Sequence, residues 1–344
     1  MHAIQFGFCV PIFASPGGRL FRTANYANLE PALTMAMAQE AASLGYDALW
    51  VADHLMLGKE NAILEGWTTL SALAGATRNA RLGLIHQAHF FRYPTLTAKM
   101  AATLDQISGG RFIFFIDPAF GQAEHEAYGI PYPRELDERI ARTLEGAEIA
   151  RLLWQSRDPV SYQGRFYQFE KATATPLPLQ QPHPPIWFGR NHPLILDACA
   201  RYGQGWNTTP ASLTEMRQLL DELEEACVRV GRDINEIERS LETQLLIGPD
   251  LASIRTQVRT MVDLTADEPY AADVAAFLAA ETDTIPASLS ERYIVGTPEQ
   301  VAGRIEQYVE LGVTHFMLWF MDAPNCAGLR LFAQEIMPRW HGQS

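Results

Sequence analysis

The stretch Leu49-Trp50-Val51-Ala52-Asp53-His54 decides how the fold of this chain is interpreted. Its apolar residues predict a short buried strand, which then runs into an acid and an imidazole. Parallel strands of α/β proteins carry such titratable side chains at their carboxyl ends, where barrel enzymes form their sites. Residues 31–45 have helical apolar spacing and end at Gly45, which suits the position after a helix. We therefore predict that His54 faces a pocket from a loop after a strand. The alternative is a histidine bonded to a loop carbonyl.

Strand-like and helix-like segments alternate along nearly the whole chain. The predicted strands are 4–10, 47–51, 81–89, 111–116, 185–188, 204–208, 241–247 and 314–320. The predicted helices are 31–44, 67–77, 94–107, 135–155, 193–202, 211–230, 298–311 and 327–338. Because strands that alternate with helices form parallel sheets, the pattern predicts the α/β class. We predict one domain over 1–344, a single (β/α)8 TIM barrel with insertions at about 157–184 and 251–293.

The composition excludes several classes of protein. A formal net charge of −13 over 344 residues argues against nucleic acid or an anionic membrane as the main partner. No apolar run approaches the roughly 18–20 residues of a membrane helix. The four cysteines lie far apart without metal-ligand spacing, so we predict reduced thiols and no metal site. Residues 1–10 lack a basic start and a cleavage site, so we expect a cytoplasmic protein.

Seven stretches in order resemble the bacterial luciferase-like flavin-dependent monooxygenases and oxidoreductases. They are LGYDALWVADHLMLG (44–58), LEGWTTLSALAGATRNARLG (64–83), RYPTLTAKMAATLDQISGGRF (92–112), EHEAYGIPYP (124–133), PPIWFGR (184–190), ARYGQGWN (200–207) and VGTPEQVAGRIEQYVELGVTHFMLWF (295–320). The resemblance implies the barrel, a flavin or deazaflavin at the carboxyl ends of its strands, and a homodimer. Many members of this family use reduced FMN from a separate flavin reductase, and others use the deazaflavin coenzyme F420, which only transfers hydride.

The resemblance places His54 near the reactive edge of the flavin, where it could exchange a proton with a flavin oxygen adduct or the substrate. Asp53 either shares this catalytic role or caps the next element. In similar proteins a non-prolyl cis peptide lies under the flavin ring, and here it would join Ile85 to His86. We therefore predict both residues at the cofactor and a catalytic role for His86. The alternative is that the polar side chains of His86 and Gln87 are satisfied buried groups.

The turns that bind the cofactor phosphate in similar proteins differ here. A glycine-rich turn is replaced by Asp117-Pro118-Ala119-Phe120-Gly121, in which Pro118 lacks an amide donor and Asp117 adds a negative charge. Asp117 is predicted at the cofactor or the substrate.

A second glycine-rich turn is replaced by Arg190-Asn191-His192-Pro193. Here Arg190 and the start of helix 193–202, with Asn191 and His192, predict a phosphate site. The alternative for Arg190 is a side chain that faces solvent. Trp206, which falls near a strand end, is predicted to form part of the cofactor pocket; the alternative is a core residue, since large rings dominate barrel interiors.

Three functions follow as hypotheses. The first is a monooxygenase that uses reduced FMN and O2 to oxygenate a small organic substrate. The second is an F420-dependent oxidoreductase that transfers hydride. The third is a barrel that binds flavin or a metabolite without turnover, because the glycine turns are missing.

Overall fold

The computed structural model describes residues 3–14, 28–119, 121–264 and 269–341. The strands are β1 (Gln5–Cys9), β2 (Ala48–Ala52), β3 (Arg81–Ile85), β4 (Gln87–Ala88), β5 (Phe112–Asp117), β6 (Val160–Gln163), β7 (Gln168–Ala172), β8 (Ile186–Gly189), β9 (Gly205–Thr208), β10 (Glu238–Ile247), β11 (Ile294–Gly296) and β12 (His315–Phe320). The helices are α1 (Pro31–Ser43), α2 (Gly66–Ala76), α3 (Pro94–Ser108), α4 (Gln122–Ala127), α5 (Leu136–Gln155), α6 (Pro193–Tyr202), α7 (Leu213–Val230), α8 (Leu251–Leu264), α9 (Ala272–Leu278), α10 (Ala287–Ser290), α11 (Pro298–Leu311), α12 (Ala327–Glu335) and α13 (Pro338–His341). Within these ranges no helix is both long and apolar enough to cross a bilayer.

Eight parallel strands close into a barrel, which confirms the predicted fold class. Their order around the barrel is β1, β2, β3, β5, β8, β9, β10 and β12, and pairing of β12 with β1 completes the circle. The register is continuous from strand to strand, so that Trp50 lies beside Cys9 on one side and beside Gly83 on the other. All carboxyl ends of these strands therefore meet at one end of the barrel.

Two tryptophans fill the barrel interior. The buried rings of Trp50 and Trp187 lie with their centroids 5.2 Å apart. Neighbouring strands make room for them with glycine, since a Cβ atom on Gly83 would lie 2.1 Å from Trp50 Cζ3 and one on Gly205 would lie 2.2 Å from Trp187 Cε2. The barrel is thus packed at this level and offers no channel.

A buried charge cluster closes the amino end of the barrel. Nδ1 of His315 lies 2.7 Å from Oε1 of Glu238, and Arg81 pairs with the same carboxylate at 2.5 Å. The indole of Trp50 donates to the other ring nitrogen of His315 at 3.1 Å. Burial alone would raise the pKa of Glu238, but the bonds from His315 and Arg81 outweigh it and lower that pKa to about 2.

Both predicted insertions carry secondary structure of their own. In 157–184, β6 and β7 form a small antiparallel hairpin. In 251–293, helices α8, α9 and α10 pack around a small apolar cluster that includes Ile254, Phe277 and Met321. The following strand β11 extends the sheet by pairing with β10.

The predicted strand 81–89 is wrong at its end. β3 stops at Ile85, the two-residue strand β4 pairs with β5 instead, and His89 begins a short 3-10 turn. One cause is Asp53, whose carboxylate accepts the amide of Ala88 at 2.9 Å and holds this segment against the end of β2.

Candidate active site

The structure brings four of the predicted site residues to the carboxyl end of the barrel. His54 follows β2, His86 follows β3 directly, Asp117 ends β5, and Arg190 follows β8 directly. Because these strands are parallel members of one closed sheet, their ends surround a common mouth.

His54 is held by a carboxylate from a distant helix. Its Nδ1 lies 2.9 Å from Oε1 of Glu124, and Oε2 of Glu124 accepts the amides of Leu55 at 2.7 Å and Met56 at 3.3 Å. The side chain of Glu124 is 6% exposed and that of His54 is 38% exposed. Burial would raise the pKa of Glu124, but the bonds from His54 and the two amides outweigh it and lower that pKa. The site therefore contains a fixed carboxylate that orients an accessible imidazole.

Gly121 allows Glu124 to reach His54. A Cβ atom at Gly121 would lie 1.8 Å from Oε1 of Glu124, so this glycine permits the close approach. In the same turn Ala119 keeps a left-handed backbone with φ of +62°, and its amide donates to Oδ1 of Asp117 at 2.8 Å. Phe120 lies outside the described residues. The turn predicted to have lost its phosphate-binding glycines thus positions an acid instead.

Asp53 forms a buried ion pair with Arg92. Arg92 donates to both of its carboxylate oxygens, at 2.9 and 3.0 Å, and also bonds Glu65 at 2.5 Å. Burial would lower the pKa of Arg92, but the carboxylates of Asp53 and Glu65 outweigh it and raise that pKa. Since both oxygens of Asp53 are engaged here and with Ala88, its contacts match the structural alternative better than the catalytic one.

The peptide bond between Ile85 and His86 is cis, as predicted. The side chain of Ile85 is buried, whereas that of His86 reaches inward above the ring of Phe115, with centroids 4.8 Å apart. Nε2 of His86 lies 3.2 Å from Oε2 of Glu242 and 3.3 Å from Nδ2 of Asn207. The other oxygen of Glu242 accepts the indole N–H of Trp319 at 2.8 Å.

In this pair the pKa of His86 is raised and the pKa of Glu242 is lowered. Burial would lower the pKa of His86, but the carboxylate of Glu242, 3.2 Å away, outweighs burial and raises that pKa. For Glu242, burial would raise the pKa, and the nearby imidazole of His86 and the bond from Trp319 lower it. Both shifts favour the charged form of each group.

The predicted phosphate site at 190–193 is occupied by protein carboxylates. Nε of Arg190 donates to Oδ2 of Asp117 at 3.1 Å, Nδ2 of Asn191 donates to Glu222 at 2.9 Å, and Nε2 of His192 lies 3.1 Å from Asp137. The amide of Leu194 at the start of α6 points to Nδ1 of His192. Each predicted ligand thus faces an acid, and the role of this turn in binding phosphate stays a prediction.

The contacts of Trp206 match the core alternative better than the pocket one. It is the second residue of β9 and fully buried, and its indole donates to the backbone oxygen of Arg190 at 3.3 Å. Side chains alternate along a strand. Since Gly205 faces Trp187 inside the barrel, Trp206 points outward and Asn207 points inward. Asn207 is therefore the site residue of this strand, and Ser240 fixes its amide at 2.6 Å.

The family model for luciferase-like monooxygenases matches residues 5–315. The chain belongs to this family. An F420-dependent glucose-6-phosphate dehydrogenase of Segniliparus rotundus is 27% identical over 305 residues, which cover 86% of this chain and 90% of that one. One of Mycolicibacterium smegmatis is 26% identical over 330 residues, covering 92% and 96%. The structure of an F420-dependent secondary alcohol dehydrogenase with an F420-acetone adduct superposes with a TM-score of 0.74 at 22% identity, covering 97% and 98% of the two chains.

These relatives correct the predicted function. The curated proteins that match nearly the whole chain are named as F420-dependent dehydrogenases, so the prediction of reduced FMN and oxygenation with O2 is wrong. The comparison favours the deazaflavin alternative and an oxidoreductase. The structural likeness, at 22% identity, supports the fold alone.

Sequence reasoning missed the two acids that hold the histidines. Glu124 begins the stretch EHEAYGIPYP, which contributed only to the resemblance. Glu242 lies in the predicted strand 241–247, where an acid among apolar residues was a usable signal for an inward polar group. Neither partner could be assigned, because 70 residues separate Glu124 from His54 and no local pattern links them.

Proposed function

We propose that this protein is an F420-dependent oxidoreductase that transfers a hydride between the coenzyme and an alcohol–carbonyl pair. The observation that carries the proposal is the His54–Glu124 pair at the mouth of the barrel. Relatives named as F420-dependent dehydrogenases match most of the chain and support the same reaction class.

His54 is the acid–base group of the proposed reaction. Oxidation of an alcohol moves a hydride from carbon and releases the hydroxyl proton, so a base is needed beside the substrate. Glu124 fixes Nδ1 of His54, whereas Nε2 has no hydrogen-bond partner within the described chain. Nε2 therefore takes the hydroxyl proton, and in the reverse direction it returns that proton to the carbonyl oxygen. The bound deazaflavin supplies the hydride chemistry.

The side chains at the mouth fit a planar ring that carries amide groups. Oε1 of Gln87 is buried without a hydrogen-bond partner in the described ranges, directly after His86. A buried acceptor of this kind is costly unless a ligand donates to it. Gln87 and His86 are thus candidates to hold the deazaflavin ring, whereas the turn 190–193 is not assigned to the coenzyme phosphate.

A cavity of about 550 Å³ lies between the start of α1, helix α8 and the segment after β12. Its described lining includes none of His54, Glu124 and His86, so we do not assign it to the substrate of the proposed reaction.

The test is a titration of the purified protein with oxidised F420 and, separately, with FMN. Binding of F420 followed by loss of its visible absorbance on addition of a neutral secondary alcohol supports the proposal. Tight binding of FMN alone, or binding of F420 without reduction by any alcohol or aldose, contradicts it. Comparing glucose with glucose 6-phosphate distinguishes a neutral from a phosphorylated substrate.

A further inference from the structure

The ion pair of His86 and Glu242 spans the barrel interior. His86 follows β3 and Glu242 lies on β10, and three strands separate β3 from β10 in either direction around the barrel. The two strands are therefore on opposite sides. Their side chains meet above Phe115, which itself lies above the packed indoles. This pair consequently forms the floor of the mouth.

Among the described residues, one nitrogen of His86 has partners and the other has none. Nε2 faces Glu242 and Asn207, whereas Nδ1 has no partner within the described chain, and the side chain is 25% exposed. Asn207 is itself fixed by Ser240, and Glu242 by Trp319, so the imidazole has a defined orientation. A ring nitrogen held open in this way is available to a ligand in the mouth.

We propose that His86 is a cationic anchor for the coenzyme. With Nε2 facing Glu242, Nδ1 would be the atom that holds the deazaflavin ring, and the imidazole would stabilise the negative charge of the reduced form. The inference rests on the proposed function. A hydride brings two electrons and one proton, so an acceptor that gains a hydride also gains one negative charge unless a second proton follows. The hydroxyl proton of the alcohol goes to His54, which leaves that charge to be stabilised by His86.

The charges around His86 favour its protonated form. Glu242 faces it from β10 and Asp117 from β5, while Arg190, which follows β8, opposes them and is itself paired with Asp117. Asn207 on β9 and Phe115 on β5 are neutral neighbours. The two carboxylates raise the pKa of His86 against the opposing effects of burial and of Arg190.

The first experiment needs no coenzyme. Histidine resonances of the protein are titrated by NMR, and His86 is assigned by the signal that disappears in His86→Gln. We expect His86 to titrate above an ordinary histidine and to fall by a pH unit or more in Glu242→Gln. An ordinary or lowered value in the wild type overturns the inference, because the floor would then carry no cation.

The second experiment measures the affinity for oxidised and reduced F420 separately. In His86→Gln the reduced form should bind at least ten times more weakly, while oxidised binding changes less than threefold, which lowers the midpoint potential of the bound coenzyme. A tenfold change in that ratio corresponds to about 30 mV for a two-electron couple. His341→Gln makes the same exchange on α13, outside the floor, and should leave the ratio unchanged.

The outcomes separate the two proposals. If the wild type binds F420 and His86→Gln weakens both forms equally, the cationic anchor is wrong and the proposed function stands. If the wild type binds neither form, the proposed function fails and this inference fails with it. Glu242→Gln provides a second variant should His86→Gln not fold, and it should weaken the reduced form selectively as well.

Discussion

Nδ1 of His54 and Oε1 of Glu124 lie 2.9 Å apart, although 70 residues separate them in the chain. Replacing His54 with Asn should therefore retain F420 binding while slowing hydride transfer by about 10²–10⁴-fold, the usual contribution of an acid–base group. Glu124→Gln should slow it less, because an amide oxygen can still accept the proton at Nδ1. Single-turnover rates, coenzyme affinity and melting temperature measured on both variants check this prediction. A lower melting temperature with unchanged chemistry would instead make His54 structural.

Asp53 and Arg92 should matter for stability rather than for proton transfer. Removing one partner of a buried ion pair leaves the other charge unpaired, which costs about 3–5 kcal/mol. Asp53→Ala also removes the acceptor of the Ala88 amide, so we expect a loss of free energy of unfolding in that range. Denaturant unfolding measures it. The control is Asp197→Ala, which breaks the exposed pair with Arg201 and should change stability far less. Equal effects would contradict the buried role.

Alanine substitutions at a crowded glycine, Gly83, and at an uncrowded one, Gly303, test the packing of the barrel interior. Gly83→Ala places a Cβ atom 2.1 Å from Trp50, in a layer where Trp187 leaves no space, and should destabilise the protein by about 1–3 kcal/mol or more. Gly303→Ala meets nothing within 4 Å and lies within helix α11, so it should stabilise by about 0.5–1 kcal/mol. Thermal and denaturant unfolding of both variants give the comparison. A tolerated Gly83→Ala would mean that the interior is not tightly packed.

Most helices and strands could be predicted from the sequence, whereas the residues that bond to the predicted site residues could not. The apolar pattern predicts helix 298–311 with its observed bounds, and helix 193–202 likewise, since proline begins each and glycine follows each. It predicts the end of the strand at 81–89 poorly, because the amide of Ala88 donates to the carboxylate of Asp53 and β4 pairs with β5. Period-two alternation could have shown that Asn207, not Trp206, points inward, once Gly205 was known to face Trp187. The sequence does not predict Glu124, Glu222 and Asp137 as partners of the site residues. Each of these acids contacts its partner only through the tertiary fold.

The buried cluster at the amino end of the barrel makes stability depend on pH. Glu238 has a pKa of about 2 in the folded protein, against 4.5 for an unperturbed glutamate. A lowered carboxyl pKa contributes stability that is fully present above the unfolded value and is lost as the pH falls through the folded value. The contribution is about 3 kcal/mol at neutral pH, from a difference of 2.5 pKa units.

We therefore expect the wild type to lose free energy of unfolding between about pH 5 and pH 2, more steeply than Glu238→Gln, which has no carboxylate to protonate. Glu238→Gln should be less stable at pH 7, since Arg81 and His315 lose their charged partner, and the two proteins should converge in acid. Glu299→Gln, which removes an exposed acid paired with Arg339, is the control and should follow the wild-type curve closely. Parallel curves for wild type and Glu238→Gln would show that the cluster at the amino end does not govern acid stability.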